Sequence, residues 1–180
     1  MTKLLLTTIL AATLALVGTA SADELPDPGC FKLTGVIVGM DEIGMVNEGL
    51  RIDVDMEGDV AEGLLAGSTG TASSRNLIRH DGVSEFDIRM FIIDPDGAAI
   101  AATVMGYQPP LMPMTLAEML DAMLDPEYAP PDVHGPLHGA AWFQTMARQY
   151  AFLNHSVYWL TGEANMATGH MWVIYCPIAA

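Results

Sequence analysis

The chain has 180 residues, 51% of them hydrophobic, and sets 22 acidic side chains against seven Lys and Arg, a net charge of −15. So acidic a chain repels nucleic acid and anionic membrane surfaces, which argues against both as partners. The length suits one domain.

Residues 1–22 read as a secretory signal peptide. Lys3 supplies a positive start, Leu4 to Val17 an apolar stretch, and Ala20-Ser21-Ala22 a small-x-small cleavage site. The apolar stretch is short for a membrane span of roughly 20 residues. Cleavage would leave residues 23–180 as a single domain, with six cations against the same 22 acids. No Cys follows the cleavage site, so no lipid anchor and no membrane contact are expected after cleavage. The expected location is periplasmic or secreted.

Cys30 and Cys176 lie near opposite ends of that domain. An oxidising compartment lets a disulfide between them persist. Bridging needs Cα atoms roughly 4.4–6.8 Å apart, so the two ends must lie side by side.

Strand-like runs with turn signals follow from residue 30 onward. Residues 30–38 alternate and are rich in β-branched side chains. Residues 49–56 alternate strictly, with Arg51, Asp53 and Asp55 on one face. Gly58-Asp59 reads as a turn, 60–66 as a third strand and 68–74 as a Gly/Ser/Thr loop. Residues 75–79 and 85–93 flank the His80-Asp81-Gly82 turn. Asp94-Pro95-Asp96-Gly97 is a strong turn signal, and 98–107 continue as a strand. The last runs are 156–161 and 170–176.

The stretch 108–141 breaks this pattern. It is Pro-rich, and Thr115 with Glu118 forms a capping box ahead of LAEMLDAML. Leu116, Met119, Leu120 and Met123 share one helical stripe. A short amphipathic helix between Pro-rich loops is expected, acting as an end plug or as a lid. Residues 147–154 are helical or irregular. Eight strands closing on themselves pair the first with the last and bring Cys30 beside Cys176. The expected fold is all-β, a closed antiparallel barrel of about eight strands, calycin-like, with one helical insertion.

The chemical motifs are weaker. DVDMEGDVAEGL opens like a calcium loop, but its twelfth position is Leu64 where a bidentate Glu is needed. His134 and His138 are four apart in HGPLHG, where Gly135, Pro136 and Gly139 argue for a loop rather than a metal-binding helix. No metal is expected. No G-x-S-x-G elbow and no Gly-rich strand-to-helix loop occurs, so no nucleotide cofactor is expected. The thirteen Met suit a soft apolar interior. Within SEFDIRMFIIDPDG, period two sets Phe86, Ile88, Met90 and Ile92 on one face and Asp87 with Arg89 on the other. Taken alone, that places the Asp87–Arg89 pair in solvent.

RNLIRHDGVSEFDIRMFIIDPDGAAI resembles the central block of the domain of unknown function 3237 family: an R-x-D-G turn, a D-x-R strand and a D-G-A turn. EGLRIDV resembles its G-x-R strand through Arg51. FQTMARQYAFLNHSVYWLTGEA resembles its F-x-T and Y-x-x-L-N pieces through Phe143, Thr145, Tyr150, Leu153 and Asn154. VIYC resembles its closing V-x-Y strand. The resemblance implies a compact barrel with a pocket lined by Arg51, Asp87, Arg89 and Asn154. Two departures stand out: Ser74-Arg75 where that family often has Asp-Trp, and the Pro-rich insertion.

The leading expectation is an exported small-molecule-binding barrel. Its ligand is a small, partly apolar anion or carbonyl compound held by Arg51 and Arg89, with Asp87 orienting Arg89 and Asn154 adding a hydrogen bond. The alternative is a cofactor-independent lyase, isomerase or cyclase, with Asp87 or His155 as general base and an Arg stabilising an oxyanion. A third reading is a structural, self-associating module, a homodimer. Everything then turns on whether Phe86, Ile88, Met90 and Ile92 face the lumen.

Overall fold

The computed structural model describes residues 25–178, so the expected signal peptide, residues 1–22, lies outside the described residues. Eight antiparallel strands form a closed barrel in chain order: β1 (Phe31–Val46), β2 (Gly49–Gly63), β3 (Thr69–Arg79), β4 (Ser84–Ile93), β5 (Ala99–Gln108), β6 (His134–Thr145), β7 (Val157–Asn165) and β8 (His170–Pro177). β1 closes the ring on β8, with Phe31 opposite Tyr175 and Val36 opposite His170. The same register carries Cys30 to Cys176. They form a disulfide with Cα atoms 4.2 Å apart, across a sequence separation of 146. Among the described residues no helix is long and apolar enough to cross a membrane.

Three local expectations are corrected. β2 runs unbroken through Gly58-Asp59, so the two runs expected on either side of a turn are one strand. Gly58 stands opposite Gly35 on β1 and Gly70 on β3. A Cβ at Gly58 would lie 2.3 Å from the Thr34 carbonyl oxygen, and one at Gly35 2.9 Å from that of Glu57. Glycine here permits close strand approach, not chain reversal. The stretch expected as a loop at 68–74 is mostly the start of β3, paired from Thr69 onward with β2 and β4. HGPLHG, expected as a loop, opens β6. Pairing with β5 stops at His138, so residues 134–137 bond only to β7. Pro136, which has no N–H to give, therefore sits where one side of the strand is free. The excursion between β5 and β6 narrows to residues 109–133.

Inside, the two ends of the barrel differ. At one end Phe31, Phe143, Tyr158 and Tyr175 pack as an aromatic plug. Phe31 stacks on Tyr175 at 5.0 Å between centroids, and Phe143 meets Tyr158 edge-on at 5.1 Å. At the other end helix α1 (Leu116–Leu124) covers part of the mouth. Thr115 Oγ1 accepts from Glu118 N, and the Glu118 carboxylate accepts from Thr115 N at 2.8 Å, completing the capping box. Leu116 is buried in a cluster with Leu50, Ile52, Val54 and Met56 of β2, and Met119, Leu120 and Met123 pack against it. The amphipathic stripe thus lands on the inward row of β2.

A 3-10 helix (Arg148–His155) joins β6 to β7. Nearby, the β4–β5 turn is organised by Asp94, whose carboxylate accepts from the N–H groups of Ala98 at 2.6 Å and Asp96 at 3.0 Å. The Ala98 bond, with help from Tyr150, Asp96 and Gln149, holds this carboxyl below the usual range.

Two outcomes follow from these contacts. Replacing both cysteines by Ser should lower the unfolding free energy by about 4–5 kcal/mol in urea denaturation, the chain-entropy value for so long a loop. A depressed carboxyl adds stability above its unfolded pKa of about 3.9 and loses it as pH falls through the lower folded value. Asp94→Asn should therefore be less stable than wild type at neutral pH and show a flatter loss of stability below about pH 4. Denaturation profiles that keep the same acid limb in both proteins would remove Asp94 from that loss.

Candidate functional site

The lumen between the aromatic plug and the mouth holds a cavity of about 250 Å³. It exists because inward positions on three adjacent strands are small. Gly35, Gly58 and Gly70 form one row, and Ala72 and Ser74 follow on β3. The remaining wall is apolar, with Ile52, Val54, Phe86, Ile88, Leu160 and Val173 among its side chains. Met40, Met56, Met90, Met166 and Met171 also line it, and such side chains adapt their shape to what they touch.

Its polar groups are few and mostly neutral. Ser74, only 4% exposed, donates its hydroxyl to Asn76 Oδ1 at 3.1 Å. That contact fixes which end of the amide is free: the Nδ2 donor has no partner among the described residues and belongs to a cavity-lining side chain. Gln108 and Ser84 lie towards the mouth, and Tyr175 belongs to the plug. Glu57 is the one charged residue bordering the cavity, but it is exposed and lies between the inward Met56 and Gly58, so its carboxylate turns to the outer surface; no Lys, Arg or His lines the space.

The geometry answers the question about β4. Phe86, Ile88 and Met90 line the cavity, and Ile92 is fully buried in the core. Asp87 and Arg89 therefore point outward, and their expected place in the lumen is corrected. The reason is the pleat: four apolar side chains gain more from burial than one ion pair loses by staying wet. Arg89, with 61% of its side chain exposed, binds the Asp87 carboxylate.

Arg51 is on the outer wall too, and does not reach the lumen. Its Nε and Nη2 donate to the two Asp53 oxygens at 3.0 and 2.6 Å, and this pairing holds the Asp53 carboxyl below the usual range. Both Arg forks expected to bind a ligand are thus occupied by neighbouring carboxylates. Asp41, Asp53, Arg75 and Asp87 face one another in succession across β1 to β4. They line a shallow external hollow with Asp55, Ser73 and Arg89.

Asn154 and His155 lie elsewhere, at the end of the 3-10 helix. Asn154 Oδ1 accepts from Thr145 N at 2.8 Å and Nδ2 donates to Thr145 O at 2.9 Å, pinning that helix to the end of β6. Neither residue lines the cavity. A general base at Asp87 or His155 acting inside the lumen is corrected on the same ground. His134 contacts Glu163 and Asn165, His138 lies against Tyr107, and no group of three metal-ligating side chains assembles among the described residues.

A larger hollow, about 1050 Å³, lies outside over the glycine row, between Trp172 and Phe91. It is open to solvent and bordered by Glu57, Asp59 and Glu163. The lumen is smaller but more enclosed, and it is the better candidate, because binding energy for an apolar molecule comes from surface removed from water. Sequence reasoning marked Ser74 only as a departure from the family pattern and missed Asn76. Their signal was alternation along TASSRNLIR, where Ala72, Ser74, Asn76 and Ile78 share the inward face.

No protein-family model matches this sequence, and no curated protein matches it. Solved structures share the fold. A protein of unknown function from Clostridium acetobutylicum superposes with a TM-score of 0.61 at 17% identity, covering 83% of this chain and 95% of its own. A conserved protein of unknown function from Rhodopseudomonas palustris gives 0.57 at 19% identity, covering 81% and 93%. A beta-barrel like protein from Acinetobacter baumannii gives 0.56 at 19% identity, covering 82% and 92%.

The outer position of Arg89 carries a direct outcome. Arg89→Ala should shift Tm by no more than about 2 °C, as expected of an exposed ion pair. It should leave binding of lumen ligands unchanged in calorimetric titration, and a large loss of affinity would return Arg89 to the site.

Proposed function

We propose that the lumen binds a small, uncharged, partly apolar molecule that carries a hydrogen-bond-accepting oxygen, as a ketone or ester does. The observation that carries this reading is the free Asn76 amide donor. It stands in a mostly apolar cavity, oriented by Ser74, with no cation in the lining. A donor facing an apolar space favours a ligand that brings an acceptor. A carboxylate ligand would be stripped of water with no positive charge to compensate. The anionic ligand expected from Arg51 and Arg89 gives way to the carbonyl compound.

The motifs that resemble the domain of unknown function 3237 family support a pocketed barrel. Ser74 takes the place where that family often carries Asp, which favours a neutral lumen here. Export through the signal-like residues 1–22 accords with the Cys30–Cys176 disulfide, since such bonds persist in the periplasm or outside the cell.

Acetophenone and benzoate differ chiefly in the charge of the oxygen-bearing group, so they test the reading. Wild type should bind acetophenone and exclude benzoate in calorimetric titration. Asn76→Leu should weaken acetophenone binding about tenfold, the loss of one buried hydrogen bond. Tighter binding of benzoate, or equal acetophenone affinity in both proteins, would sink the proposal.

A further inference from the structure

Tyr175 is a second polar group of the same cavity. Its ring is held by two others of the plug, stacked on Phe31 at 5.0 Å and 21°, and edge-on to Phe143 at 5.9 Å and 81°. The residue is 3% exposed and lines the cavity. Among the described residues nothing hydrogen-bonds its hydroxyl, and burial alone pushes its pKa well above the usual tyrosine value. The group is therefore a neutral phenol at every physiological pH, able to donate one hydrogen bond and accept another. Ser68 Oγ is the one fully enclosed side-chain polar atom without a partner among the described residues, so the Tyr175 hydroxyl keeps some accessible surface, and the space beside it is the cavity.

Its position adds the second half of the argument. Tyr175 pairs with Phe31 at the start of β1, so it stands at the closed, aromatic end of the cavity. Asn76 pairs with Ile52 and Phe86, and Ile52 belongs to the cluster under α1 at the mouth. Between the two lie apolar walls. We infer that the lumen selects an elongated neutral molecule with an oxygen function at each end, one meeting the Asn76 amide and the other reaching the Tyr175 hydroxyl. Hydroxyaryl ketones and short hydroxy-carbonyl compounds have this pattern. This inference rests on the lumen being the binding site.

The test compares acetophenone with 4-hydroxyacetophenone, which adds an oxygen at the far end of the same ring. Wild type should bind the hydroxylated probe about tenfold more tightly. In Tyr175→Phe that preference should vanish while acetophenone binding remains. The unliganded variant should melt within about 2 °C of the wild type, because the hydroxyl it loses is bonded to no protein group among the described residues. A hydroxyl that only supports the fold predicts a lower melting temperature and an unchanged preference. Either an unchanged preference in Tyr175→Phe or the absence of any preference in wild type overturns the role of Tyr175 and leaves lumen binding standing. If wild type binds neither probe, the lumen reading itself falls, and this inference with it.

Discussion

The pairing of β1 with β8 decides the rest of the molecule. Once Phe31 lies opposite Tyr175, the ring is closed, and period two assigns every side chain of every strand to the lumen or to solvent. The disulfide sits one residue beyond that pair and locks the register at the chain's two ends. A slip of one residue would turn Phe31, Leu33, Val173 and Tyr175 outward together. The aromatic plug, the cavity above it and the placing of Asp87 outside all descend from this one seam.

Much of this architecture is legible in the sequence, and the parts that are not share a cause. The Asp94–Gly97 turn and the capping box at Thr115 rest on local chemistry that tertiary structure does not override, and two cysteines leave a single possible intrachain pairing. Glycine is ambiguous, because it serves both chain reversal and close approach of strands. Gly58 therefore suggested a turn inside β2, and Gly135 and Gly139 hid β6. The expected number of strands agrees with the barrel only because one real strand was divided and another overlooked. For the site, alternation alone placed Asp87 and Arg89 in solvent, correctly; the family resemblance drew them into the pocket. Asn76 escaped notice, and Ser74 stood out only as a departure from the family pattern, because the Ser/Thr-rich approach to them resembles a loop until barrel closure supplies two neighbours to bond with.

Charge is segregated with similar economy. The chain carries a formal net charge of −15, yet no charged side chain turns into the cavity: Glu57 faces the outer surface, and no Lys, Arg or His lines the space. Arg51 and Arg89, two of the few cations, are spent on carboxylates of the outer wall. Exposed pairs of this kind add little stability, but they break up a surface that would otherwise repel itself. What remains inside is a space where a charged ligand has no counterion and a neutral one has two hydrogen-bonding groups.

The cavity itself is the feature that stability alone does not explain. An apolar void weakens a core, since its walls lack partner atoms on one side. Larger side chains at Ala72 or Ser74 would fill it, and the plug shows that this barrel accommodates bulky rings elsewhere in its lumen. The row of Gly35, Gly58 and Gly70 does serve the backbone, because a Cβ at Gly58 or Gly35 meets a carbonyl oxygen of the neighbouring strand. Ser74 has no such excuse. It is buried, polar and smaller than the space around it, and its hydroxyl is used to turn the Asn76 donor free. A sequence that keeps a void, an oriented amide at its mouth and a phenol without a protein partner at its floor forgoes packing and pairing in one shared space. Features that destabilise one at a time and complement one molecule together are how a binding site differs from a packing defect.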